Sequence, residues 1–121
     1  MRWLILAAVG VLAGCGPDCL STCQHLHGDG VDVNGDSQCN IQVPGQKATD
    51  LIRECTASCE YAMARSGDLE GYDPTVRTPP SQSQALKNDK QAAAWMDCVA
   101  QESCEDLQNY YCAPTSNYSQ K

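Results

Sequence analysis

Nine cysteines in 121 residues carry the densest reactive chemistry of this chain: Cys15, Cys19, Cys23, Cys39, Cys55, Cys59, Cys98, Cys104 and Cys112. Thiols in such number serve redox exchange, metal ligation or cross-linking. Thiol oxidoreductases commonly place Cys-x-x-Cys at a helix N-terminus, where the dipole lowers one thiol pKa. Neither that spacing nor the Cys-x-x-Cys-His of haem attachment occurs here. Zinc sites pair closely spaced Cys or His at two positions, and thiolates rarely stay reduced outside the cytoplasm. Structural disulfides are the expectation, with an extracytoplasmic thiol-disulfide oxidoreductase as the third-ranked alternative.

Two further groups offer ligand chemistry. His25 and His27 form His-x-His, which binds copper, nickel or zinc in an extended segment. On a helix the two rings point about 200° apart and cannot share an ion. The expected roles are a surface histidine and a helix-end histidine facing the C-terminal dipole. Asp29, Asp32, Asn34 and Asp36 set side-chain oxygens along one short loop, and those from Asp32 to Asp36 fall at alternating positions. That stretch resembles the start of an EF-hand Ca²⁺ loop. It departs from the pattern: glycine stands fourth instead of sixth, Ser37 takes the sixth position, and Val43 occupies the place of the bidentate Glu. The preferred expectation is an Asx- and Gly-rich turn held by its own hydrogen bonds. The alternative is a weak Ca²⁺- or metal-responsive binding module using those four residues.

No catalytic triad stands out, and no Gly-x-Ser-x-Gly is present. The formal net charge is −7, and no basic cluster offsets it, which argues against nucleic-acid binding. No cofactor is expected beyond weakly bound Ca²⁺.

The start of the chain reads as a targeting segment. Met1-Arg2 is a positive opening, and residues 3–13 are an apolar run of eleven, against about 20 for a spanning helix. The run ends Leu12-Ala13-Gly14-Cys15. This resembles the lipobox of bacterial lipoproteins. The resemblance implies cleavage before Cys15, with diacylglycerol in thioether linkage on its sulfur and usually an N-acyl chain such as palmitate. At about 0.8 kcal/mol per buried methylene, two or three chains anchor almost permanently. Gly16 in place of Asp points to the outer rather than the inner membrane of the envelope. Setting Cys15 aside leaves eight cysteines, an even set that can pair completely.

Four helical segments and two connecting loops must position these groups. Residues 16–28 have Pro17 and Asp18 for a first turn, Gly28 for an end, and Cys19, Leu20, Cys23 and Leu26 in one stripe. Residues 29–45 are a loop with the turn dipeptide Asn34-Gly35 and a brief extended piece at 41–43. Residues 46–66 repeat apolar positions at three and four: Ala48, Leu51, Ile52, Cys55, Cys59, Ala62 and Met63. Residues 67–83 carry Gly71, Pro74, Pro79 and Pro80 and are expected to run over the surface, partly mobile. Residues 84–101 form another helix with Trp95 and Met96 on its apolar face, and Ser103 caps a shorter one.

Cys19/Cys23 and Cys55/Cys59 each lie four apart, one turn along a helix face. Such a pair rarely bridges itself, because the Cα atoms are about 6 Å apart with poorly directed Cβ vectors. The pattern is similar to the twin Cys-x-x-x-Cys hairpins of the small mitochondrial intermembrane-space chaperones, although 31 residues separate Cys23 from Cys55 here. That likeness is one of geometry, and neither kinship nor chaperone function is taken from it. It implies an antiparallel hairpin with Cys19–Cys59 and Cys23–Cys55. Cys39, Cys98, Cys104 and Cys112 then pair among themselves in an order left open, since eight cysteines allow 105 connectivities.

With no Phe and few large aliphatics beyond residue 14, the chain builds a small core and needs staples. The expected fold is all-α: a small disulfide-stapled bundle of three to four helices with a Cys-x-x-x-Cys hairpin and long loops. Residues 1–14 are the signal peptide, 15–18 the lipidated N-terminus, 19–113 the helical domain and 114–121 a flexible tail. The expected function is a non-enzymatic, membrane-anchored envelope lipoprotein with a binding or structural role, held through lipid on Cys15 and meeting an envelope protein partner.

Overall fold

The computed structural model describes residues 18–32, 35–78 and 85–113. Cys15, Asn34, the signal segment and the tail lie outside them. Among the described residues there are four helices: α1 Cys19–His27, α2 Ala48–Met63, α3 Asp89–Gln101 and α4 Cys104–Gln108. The only β pairing among the described residues is an isolated antiparallel bridge between Val31 and Ser37. The fold is a small helical one stapled by four disulfides.

Helix α1 starts at a reciprocal cap. Asp18 Oδ1 accepts from the Ser21 N–H at 2.7 Å, and Ser21 Oγ accepts from the Asp18 N–H at 3.2 Å. Asp18 is therefore the N-cap and not a first-turn residue. Its buried residues, Cys19, Thr22, Cys23, Leu26 and His27, recur at three and four. Leu20, placed on that stripe from the sequence, is exposed instead.

Helix α2 buries Leu51, Cys55, Cys59 and Ala62 along one stripe. It packs against α1, and two bridges rivet the pair: Cys19–Cys59 and Cys23–Cys55, with Cα separations of 5.6 and 5.9 Å. Helix α3 lies against both, burying Ala92, Trp95, Met96 and Val99. No disulfide joins α3 to α1 or α2 among the described residues. Backbone and cap contacts dock its first turn instead. The Asp89 N–H donates to the Arg65 carbonyl at 2.7 Å, and Asn88 Nδ2 donates to the Asp68 carbonyl at 2.9 Å. Asn88 is the N-cap, its side chain accepting from the Gln91 N–H at 3.0 Å. That cap starts α3 at Asp89, five residues beyond the start expected from apolar periodicity. Ser103 caps α4 through the Asp106 N–H at 3.1 Å.

The described part of the long connection, 67–78, runs over the surface as expected and is tied down at several points. Tyr72 packs on the core, and burial pushes its phenol pKa up. The Cys112 N–H donates to the Pro74 carbonyl, the Thr78 N–H to the Tyr110 carbonyl, and Arg77 Nε to the Asn109 carbonyl. Cys98–Cys112 closes the same region. The remaining bridge, Cys39–Cys104, ties the 29–45 loop to α4. Among the described residues no helix is long and apolar enough to cross a membrane.

Candidate thiol–histidine site

The loop after α1 folds back over the helix end. Its outer part is a tight reversal: the Gly35 N–H donates to the Asp32 carbonyl, the Asp32 N–H to the Asp36 carbonyl, and the Gln38 N–H to the Gly30 carbonyl. Its return limb supplies what a helix C-terminus lacks. The N–H groups of Cys39, Asn40 and Ile41 donate to the carbonyls of His25, Gly28 and Leu26 at 2.7, 2.9 and 2.8 Å. Of residues 41–43, Ile41 is thus bound to the helix end, and the three form no strand. Val43 to Gln46 closes with a Val43 carbonyl to Gln46 N–H bond, with Pro44 second and Gly45 third at φ +82°, as a type II turn demands.

Gly28 makes the crossing feasible. A Cβ there would fall on Gln38 Oε1 and stand 2.6 Å from the Gln24 carbonyl oxygen. Glycine is needed for close approach, since its backbone is extended at φ −76°.

This crossing brings four side chains to one place. Asp32 Oδ2 lies 2.6 Å from His25 Nδ1. Gln38 Nε2 donates to the other Asp32 oxygen at 3.2 Å, while Gln38 Oε1 accepts from the Gly30 N–H at 3.0 Å. The opposite ring nitrogen, His25 Nε2, is 3.5 Å from Cys39 Sγ. Cys39 is bonded to Cys104 at the start of α4. The side chains of His25 and Asp32 are 20% and 22% exposed, so the pair is shielded yet reachable. An ionised Asp32 only accepts, which puts a proton on Nδ1 and turns Nε2 toward the sulfur.

The sequence-derived candidates are thereby redistributed. His25 is no bare surface residue but the centre of an Asp–His–disulfide line. His27, at the end of α1 as expected, is fully buried, with Nδ1 2.9 Å from the Ile41 carbonyl oxygen. The two rings diverge and share no ligand site. In the acidic loop, both Asp32 oxygens are engaged by His25 and Gln38, while Asp29 and Asp36 are exposed. The His, Cys, Asp or Glu groups that do converge among the described residues are His25, Cys39 and Cys104, whose ligand atoms lie within 4.8 Å of one another. As a disulfide with an imidazole beside it, the site suits thiol exchange. Opened to two thiols, it would present a Cys₂His set of the kind zinc takes.

Sequence reasoning missed this convergence. Residues 25, 32, 39 and 104 have no short spacing in common. The one available signal was the turn dipeptide Asn34-Gly35 in the sequence between Asp32 and Cys39. No family model, no curated protein and no solved structure matches the chain.

Proposed function

We propose that this chain is a lipid-anchored protein of the bacterial cell envelope, whose disulfide-stapled helical domain has a non-enzymatic binding or structural role. The supporting observation is the closure of the cysteine set. The eight cysteines from Cys19 to Cys112 pair with one another as four bridges. None needs Cys15, the thiol that follows the lipobox-like Leu12-Ala13-Gly14. A cross-linked domain starting four residues after a lipidated cysteine stays folded in an oxidising compartment without a large core. The outer membrane is the proposed address, and an envelope protein the proposed partner.

Expression in a bacterium fed labelled palmitate tests the anchor. The chain is expected to incorporate label and to give an N-terminal peptide carrying diacylglycerol on Cys15. Cys15→Ser should lose both and leave the membrane fraction. Recovery of an unlipidated Cys15, free or in a disulfide, overturns the proposal.

A further inference from the structure

We infer that Cys39–Cys104 is a disulfide built for exchange with external thiols, in which Cys104 takes the attack, Cys39 leaves, and His25, held by Asp32, serves the departing sulfur. This goes beyond the anchored binding role and does not depend on the lipid.

The four bridges differ in what stands beside their sulfurs. In the hairpin, Cys23, Cys55 and Cys59 are fully buried and Cys19 is 7% exposed. Three of these cysteines are closed to an incoming thiolate, and a thiolate leaving there would be buried away from water. In Cys98–Cys112, Cys112 is fully buried and Cys98 Sγ lies 3.5 Å from the Pro74 carbonyl oxygen. A carbonyl lone pair repels a developing thiolate. At Cys39–Cys104 the neighbour of sulfur is an imidazole nitrogen, which in its protonated form favours the thiolate and can give it a proton.

Exposure and geometry also select the direction. Cys39 is buried at 6% exposure, whereas Cys104 is half-buried. The accessible sulfur is the one attacked, and the sulfur beside His25 is the one released. Leaving-group stability is a principal determinant of exchange rate, so the two preferences reinforce each other.

The reductant is a dithiol. One of its thiolates attacks Cys104 Sγ, forming a mixed disulfide as the Cys104–Cys39 bond breaks and its electron pair goes to Cys39. The Cys39 thiolate takes the proton from imidazolium His25 Nε2, which is recharged from solvent. The second thiolate of the reductant then attacks its own sulfur in the mixed disulfide and releases Cys104 as a thiolate, which solvent protonates. Two electrons pass to the protein, and the dithiol leaves as a disulfide. The hairpin bridges stay closed, so only the tether between the 29–45 loop and α4 opens.

The test uses the oxidised full-length protein purified from the envelope of its expressing cell. It is treated briefly with limiting dithiothreitol, alkylated and mapped by mass spectrometry. Glutathione, which lacks a second thiol, traps the mixed disulfide in a parallel sample. Alkylation is expected first at Cys39 and Cys104, and glutathione on Cys104. His25→Asn is expected to slow opening of this bridge by about tenfold relative to Cys98–Cys112 in the same molecules. Because both bridges are read in one protein, a general loss of stability does not mimic that change in ratio. Prior opening of any other bridge, glutathione on Cys39, or an unchanged ratio in His25→Asn overturns the inference. The first two outcomes need no variant.

Discussion

The riveted α1–α2 hairpin and the loop that crosses the end of α1 use the same covalent bond to different effect. In the hairpin, sulfurs sit at i and i+4 on two facing helices and are buried between them. In the crossing loop, Cys39 is delivered by three backbone hydrogen bonds to a helix end, beside a histidine with a carboxylate behind it. Burial between regular elements makes a bridge inert, whereas delivery by a loop leaves room for a polar neighbour. The same contrast holds for α3, which has no bridge to either hairpin helix and depends on packing and on its capped first turn.

The largest expected effect comes from removing both rivets. Each disulfide contributes about 2–4 kcal/mol, against a typical domain stability of about 5–15 kcal/mol. Replacing Cys19, Cys23, Cys55 and Cys59 by alanine should abolish cooperative unfolding, as followed by near-ultraviolet circular dichroism. Replacing Cys39 and Cys104 by alanine should leave a folded chain of lower denaturant midpoint. A chain that unfolds without Cys39–Cys104 while one without the two rivets survives would reverse the comparison.

Next in size is the packing of α3. Trp95 is fully buried in the shared core. Trp95→Ala should cost about 3–5 kcal/mol in equilibrium unfolding. Hydrogen exchange should rise first in α3 and only later in α1 and α2, which remain joined covalently. Uniform acceleration across all three helices would mean that the rivets do not give the hairpin independent persistence.

Gly28→Ala acts where the loop crosses the end of α1. The new Cβ meets Gln38 and the Gln24 carbonyl, and a crowded insertion of this kind costs about 1–3 kcal/mol. Displacing Gln38 frees Asp32 from one of its two partners, so exchange at Cys39–Cys104 should change while the hairpin bridges remain resistant. Unchanged exchange together with an unchanged melting temperature would show that the crossing tolerates a side chain there.

The same contrast explains what could be read in advance. Helix content followed from apolar spacing at Leu51, Cys55, Cys59 and Ala62 and at Ala92, Trp95, Met96 and Val99, because a period of 3.6 is a local property. The start of α3 was misplaced because the Asn88 cap outweighs apolar residues upstream of it. The Asp32–His25–Cys39 line was hidden for a different reason. It depends on a backbone crossing at Gly28 and on a partner, Cys104, that is 65 residues from Cys39. Local pattern carries no information about which loop limb satisfies the last carbonyls of a helix.

The smallest expected effect lies at the opposite end of α1, where Asp18 caps the helix. Hydrogen bonds from the Ser21 backbone and side chain hold its carboxyl below the usual carboxylate range. A group depressed in the folded state contributes stability that is fully present above its unfolded pKa and is lost as pH falls through the folded value. Asp18 is largely exposed, so solvent screens the electrostatic part and the capping hydrogen bond carries most of the effect. Asp18→Ala should therefore cost about 1 kcal/mol near neutral pH. Asp18→Asn, an equally good cap with no charge to lose, should nearly match the parent there and lose less stability on acidification below about pH 4. Parallel denaturant titrations at neutral and acid pH separate the two. If the Asn variant falls with acid as steeply as the parent, the acid sensitivity belongs to other carboxylates and the cap of α1 acts by geometry alone. In either case exchange at Cys39–Cys104 should be untouched, because the cap and the crossing loop hold opposite ends of one helix that the rivets keep rigid.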